Sequence, residues 1–152
     1  MSKAGLGIAA FFIIGLALAA TNFLTREETA PTHSMDPPDL SDVEAGGPIV
    51  DVALPAELSP EAQIGQRVFE AACSACHGTN AAGQNGVAPP LIHPTYRPNH
   101  HSDQAFLMAA RNGVSAHHWE FGNMPVIEGL TNADVRAIVR YIRELQREND
   151  IS

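Results

Sequence analysis

Cysteine is scarce in this chain: only two of its 152 residues are cysteines, Cys73 and Cys76. Two thiols exclude a four-cysteine zinc site, and a disulfide across so short a loop would stabilise little. The pair is there for its chemistry, not as a scaffold. Positive charge is scarce too, with 9 Lys and Arg against 17 Asp and Glu and a formal net charge of −8. A nucleic-acid binder needs clustered Lys and Arg to neutralise phosphate, so that class is set aside. Strand-like alternation of useful length is absent, and so is any internal repeat. What periodicity remains is helical, and the length allows one domain with additions.

The charge is uneven. Residues 26–61 carry nine acids, Glu27 to Glu61, against Arg26 alone, whereas residues 62–152 are nearly neutral with eight acids against seven Arg. An acidic, Pro-rich stretch poor in aromatics is expected to be solvated and disordered. Residues 26–58 therefore read as a linker, and His33 and Met35 within it as solvated side chains.

Ahead of the linker, residues 4–24 are apolar, with Lys3 before them and Arg26 after. Such a run, at 1.5 Å per residue, spans roughly 30 Å, the thickness of a bilayer core. Residues 1–25 are expected to form a membrane anchor; the alternative is a signal segment cleaved after Ala17-Leu18-Ala19. Either way the rest of the chain is exported.

From residue 59 helices are expected. Ser59-Pro60-Glu61 supplies an N-cap, a Pro at the first helical position and an early acid, and Ile64, Val68, Phe69 and Ala72 follow at helical spacing. A second helix starts at Ser102-Asp103, runs through Phe106, Leu107 and Ala110, and stops at Asn112-Gly113. A third starts at Thr131, with Asp134 completing a short capping box. Val135, Ile138, Val139, Ile142 and Leu145 form its apolar stripe, with Arg136, Arg140, Arg143 and Arg147 mostly on the other side. Three helices make a thin core for a domain this small, which argues for a large apolar cofactor at its centre.

Cys73-Ser74-Ala75-Cys76-His77 has the C-x-x-C-H pattern of covalent haem c attachment. Two cysteines three apart near a helix end can reach two vinyl groups on one edge of the macrocycle. The next residue then points its imidazole at the iron. A thioredoxin-like dithiol would want a βαβ setting, which is missing here. The second axial ligand must come from downstream: Met108, Met124, or one of His93, His100, His101, His117 and His118. Met108 falls inside a helix beside Leu107 and reads as core packing. Met124 falls in Phe121-Gly122-Asn123-Met124-Pro125, an irregular loop stiffened by Pro, where a thioether can be held for iron. His/Met ligation leaves a six-coordinate iron suited to electron transfer.

From about Ser59 to the end, the chain resembles class I bacterial cytochromes c. The likeness rests on a helix running into CSACH, the loop Ala88-Pro89-Pro90-Leu91, Asn123-Met124-Pro125 before the last helix, and the final helix VRAIVRYIREL. It implies an all-α, class I cytochrome c fold over residues 59–152, with three main helices and loops wrapped around one haem. It also implies thioethers at Cys73 and Cys76, iron ligands His77 and Met124, and a carbonyl of Pro89 or Pro90 accepting the other ring N–H of His77. Gly65 and Tyr141 would meet where the first and last helices cross, the Tyr141 ring lying on the Gly65 backbone. Apart from the resemblance, Trp119 beside His117 and His118 reads as a residue that shields or hydrogen-bonds a haem propionate.

The likeness extends to membrane-anchored members that carry electrons between respiratory complexes. It implies a single N-terminal span in a bacterial inner membrane, with the haem domain in the periplasm. The partners would be a quinol-oxidising complex and a terminal oxidase or reductase, with no small-molecule substrate and no bond chemistry. Two alternatives stand beside it. The chain would be a fixed subunit of a larger oxidase or dehydrogenase, or a haem protein with a second, copper or zinc site at its histidines. His93, His100, His101, His117 and His118 are an unusual concentration for this pattern. They fit three roles: surface or haem-edge residues, a second metal site built from His100/His101 and His117/His118, or a distal iron ligand in place of Met124.

Overall fold

The computed structural model describes residues 15–16 and 35–152. The chain divides into two units, Met1–Thr32 and His33–Ser152. Of the first, only Gly15 and Leu16 are described, and both are helical. The apolar segment 4–24 otherwise lies outside the described residues, as do linker residues 26–34. Among the described residues no helix is long and apolar enough to cross a membrane.

The second unit is helical. Its elements are α1 (Pro60–Ala72), the single turn α2 (Ser74–His77), α3 (Asp103–Asn112) and α4 (Asn132–Glu148), with short 3-10 turns at Thr79–Ala81 and Pro94–Tyr96. All three long helices begin where the sequence signals place them. Ser59 Oγ accepts from the Ala62 N–H, Ser102 Oγ from Ala105, and Thr131 and Asp134 close a reciprocal capping box. Each such cap is worth about 1 kcal/mol. The described residues contain no strand, only isolated bridges at Gln84–Ala88 and Val114–Met124.

The core is the crossing of α1 and α4. Phe69, Tyr141, Ile142 and Leu145 are fully buried there, and burying each apolar side chain contributes about 1.5–3 kcal/mol. The crossing is close because Gly65 has no side chain: a Cβ there would overlap the backbone carbonyl of Ala137. The Tyr141 ring, expected on the Gly65 backbone, packs on Phe69 one turn further along α1, centroids 5.7 Å apart, and its hydroxyl donates to Asn80 Oδ1. The apolar face of α1 is also rotated from expectation, with Ile64 48% exposed and Ala62 and Gly65 facing the core.

Residues 35–58 are not the disordered linker that their composition suggests. Gly46 donates to Asn85 O, Asn85 donates back to Gly47 O, and Ile49 and Val50 both donate to Ala82 O. Ala53 exchanges two bonds with the Asn149 side chain, each 2.9 Å. Val50, Val52 and Leu58 pack on the core, while Asp39, Asp42, Glu44 and Asp51 stay exposed. Averaging over the segment hides this division: the acids dominate the composition, but a few apolar residues supply the anchorage.

Candidate functional site

The C-x-x-C-H segment follows α1 without a break. Cys73 caps α1, and its carbonyl accepts from the N–H groups of Cys76 and His77, which turns the chain into α2. The turn ends at Gly78, whose φ of +73° suits glycine and whose Cβ would crowd the Gly83 carbonyl at 2.6 Å. Gln84 Nε2 then reaches back to the carbonyls of Ser74, Ala75 and Cys76 at 2.9–3.2 Å and caps the turn.

The loop after this turn brings the Pro89 carbonyl to 2.9 Å from His77 Nδ1. A carbonyl only accepts, so Nδ1 carries the ring proton and Nε2 keeps the lone pair. Burial holds the His77 imidazole below its ordinary range, partly opposed by the Pro89 bond, so the ring is neutral at neutral pH. Pro89, not Pro90, supplies the acceptor. Pro90 is buried against Gly83, where a Cβ would crowd its ring nitrogen at 2.5 Å.

Cys73, Cys76, His77 and Pro89 line a cavity of about 570 Å³. Trp119 and Met124 line the same cavity, with apolar walls from Phe69, Leu91, Phe106 and Ile138. No disulfide joins the two cysteines. Burial pushes the Cys73 thiol up to about 11, and the neighbouring Cys76 adds to the effect. A redox dithiol needs a depressed thiol pKa, so this pair is poorly set for thiol–disulfide exchange.

Met124 is held by backbone pairing with Val114, at 3.0 and 2.9 Å in the two directions. Gly113, at φ +71°, gives that pair room, since a Cβ would come within 2.6 Å of the Met124 carbonyl. Met108 is not core packing. It is 45% exposed at the edge of the cavity.

The chain belongs to the cytochrome c family. Residues 62–146, more than half of the chain, match the family model described as Cytochrome c. No curated protein and no solved structure matches the chain significantly. The family fixes the coarse activity, haem-based electron transfer, and the cofactor, haem c attached covalently and one to a domain of this kind.

The residues of this cytochrome fit such a group. The cavity is large, mostly apolar, and bordered by two thiols and an imidazole. Among the described residues two buried side-chain nitrogens, Arg97 Nε and Trp119 Nε1, lack a hydrogen-bond partner of good geometry, and Trp119, beside the Tyr96 hydroxyl, lies on the cavity wall. A buried donor without a good acceptor is costly, and a carboxylate such as a haem propionate would satisfy Trp119 Nε1. Trp119 is held edge-on by His93, centroids 5.2 Å apart, and stacked on Phe121 at 5.7 Å.

The five histidines do not form one group. His93 is buried, its Nδ1 3.0 Å from Thr95 Oγ1 and its ring against Trp119. His100, His101, His117 and His118 come together from two loops. Burial, and then the charges of neighbouring imidazoles, hold His118 below its ordinary range. The same holds for His101, where the Thr95 carbonyl works in the opposite direction.

Two contributors escaped the sequence reading. Gln84 and Arg143 belong to no local motif, and their roles depend on contacts across the fold. Arg143 was placed on the outer face of its helix but is buried. It donates to the carbonyls of Tyr96 and His101, to Gln146 Oε1 at 2.6 Å and to Asp103 Oδ1 at 2.9 Å.

Proposed function

We propose that this cytochrome is a one-electron carrier whose haem is held by Cys73 and Cys76 and ligated by His77 and Met124. The observation that carries the reading is the 2.9 Å contact of His77 Nδ1 with the Pro89 carbonyl. It commits one ring nitrogen and leaves Nε2 as a ligand on a cavity that both cysteines and Met124 also line. When bound, the haem supplies reversible one-electron exchange at iron, and a thioether ligand raises its potential. Pro89 orients His77. The Val114 pairing fixes Met124. Phe69 and Leu91 keep water out, and Trp119 would hold a propionate.

The wider setting rests on the apolar segment 4–24 and the family likeness. The haem domain works on the periplasmic side of a bacterial inner membrane. It passes electrons from a quinol-oxidising complex to a terminal oxidase or reductase. Val87 and Met108, both 45% exposed at the cavity edge, offer the small apolar contact that transient docking uses. One observation favours the second reading, a fixed subunit of a larger redox enzyme. Residues 35–58 lie along the domain, so any reach must come from the chain before them. Co-purification with one membrane enzyme after detergent extraction would support that reading over the shuttle.

The test of the ligand set is the absorption spectrum of the purified protein, oxidised and reduced. A sharp low-spin reduced spectrum with a weak far-red band in the oxidised form is expected. Met124→Leu should abolish that band, admit carbon monoxide and lower the potential. A band and potential unchanged in Met124→Leu would place the distal ligand elsewhere, with His101, His117 and His118 next in line because they also border the cavity.

A further inference from the structure

Four imidazoles meet at the edge of the haem cavity, and none has a role in the electron-carrier reading. His100 and His101 precede α3; His117 and His118 lie between α3 and α4. The Nε2 atoms of His100 and His118 are 3.3 Å apart. One ring nitrogen of His101 completes a set of three atoms that all lie within 4.8 Å of one another. The His117 ring is 4.4 Å from His118 and 6.0 Å from His101, centroid to centroid.

The donors are already oriented. His101 Nδ1 is 2.7 Å from the Thr95 carbonyl and His117 Nδ1 is 2.8 Å from the Ser115 carbonyl. Each carbonyl accepts the ring proton, which leaves Nε2 as the lone-pair nitrogen. A metal-bound imidazole normally makes this kind of outer contact. The spacing fits as well. With metal–nitrogen bonds of about 2.0–2.1 Å, two nitrogens of a tetrahedral site stand about 3.3–3.4 Å apart, and His100 and His118 already meet this condition.

The loops that carry the donors are anchored. Arg143 binds the carbonyls of Tyr96 and His101 on one side, and Asn123 Oδ1 accepts from the Ala116 N–H on the other. Asp103, the acid nearest in sequence to His100 and His101, is engaged by Arg143. An all-imidazole donor set suits zinc or copper rather than magnesium or calcium. His100 is exposed and His101 and His118 are half-buried, so an ion can enter and water can complete its coordination.

We propose that His100, His101 and His118, with His117 as a fourth donor, form a second metal site for a divalent ion of the zinc and copper class. The site is distinct from the haem iron and does not depend on the electron-carrier reading.

The test uses the full-length, haem-loaded protein, stripped with chelator and titrated with Zn²⁺ alone against a chromophoric competitor, then with Cu²⁺ alone. One saturable equivalent per chain is expected. His100→Ala and His118→Ala should each weaken it at least about 10-fold, because losing a ligand costs no less than losing its outer-sphere partner. His100 is exposed, so its replacement leaves the fold intact even if His118→Ala does not. The metal-free haem spectrum should be unchanged in His100→Ala. Absence of a saturable equivalent, or an affinity unmoved in both variants, would overturn the proposal. So would a metal-free haem spectrum altered by either substitution in a folded protein, since that assigns the imidazole to the iron.

Discussion

Gly65 of α1 lies directly against the backbone carbonyl of Ala137 in α4, with no space for a Cβ between them. The obstacle is main chain, which no side-chain rotation can move. Gly65→Ala would gain helix propensity in α1, worth up to about 1 kcal/mol, and still lose overall. The helices must separate, and every buried contact around Phe69 and Ile142 loosens with them. A net loss of about 1–3 kcal/mol is expected, read as a lower urea midpoint of the haem-loaded protein. An unchanged midpoint would mean that the crossing is not the close contact described here.

Covalent attachment can be separated from binding. Cys73→Ser combined with Cys76→Ser removes both thiols while leaving His77 and its bond to Pro89 in place. No haem should remain on the denatured polypeptide after electrophoresis. Haem staining of the double variant at the normal level would remove these cysteines from the attachment site altogether.

The helix starts and the haem motif were legible in the sequence because they are local. Ser59, Ser102 and Thr131 act on N–H groups three residues away, and the CSACH spacing acts within one turn. What was not legible depends on contacts far apart in the chain. Asn85 captures residues 43–47 and Asn149 captures Ala53, which turns an acidic stretch into a packed strap. No window of sequence contains both partners. Arg143 misleads for a related reason. Its spacing on α4 matches the exposed arginines, and only the loop at Tyr96–His101 gives it a buried role. Pairs of histidines were visible, but their meeting required α3 to bring its two flanking loops together.

Acid should weaken the join between the start of α1 and the end of α4. Burial alone would raise the Glu144 carboxyl. The Ser59 N–H and hydroxyl, at 2.9 and 2.7 Å, together with Arg140 outweigh it and hold the group below its ordinary 4.5. A carboxyl depressed in the folded state contributes stability that is full above the unfolded value and lost as pH falls through the folded one. Unfolding midpoints should therefore fall as the pH drops below about 4.5, by less in Glu144→Gln than in the parent. Parallel acid limbs for the two proteins would show that Glu144 carries none of this dependence.

Arg143 organises the loop that faces the cavity from α4. Its guanidinium lies 5.0 Å from the Phe106 ring centroid and spends its donors on two loop carbonyls, Gln146 and Asp103. Asp103 is 69% exposed, so that ion pair contributes little, and the weight rests on buried Gln146 Oε1 and the half-buried carbonyls of Tyr96 and His101. Arg143→Met keeps most of the apolar stem but takes the donor from the His101 carbonyl and Gln146 Oε1, at a cost of about 1–3 kcal/mol each, while the Tyr96 carbonyl keeps its bond from Gln146 Nε2. Arg143→Lys should recover only part of the loss, because a single ammonium cannot span acceptors that a planar fork reaches together. Urea unfolding should rank the parent above Lys above Met. Hydrogen exchange should quicken first across residues 96–103, since Arg143 binds the carbonyls of both Tyr96 and His101, which border the cavity. Uniform quickening along the whole domain would instead make Arg143 a general contributor to the core, with no particular hold on the loop.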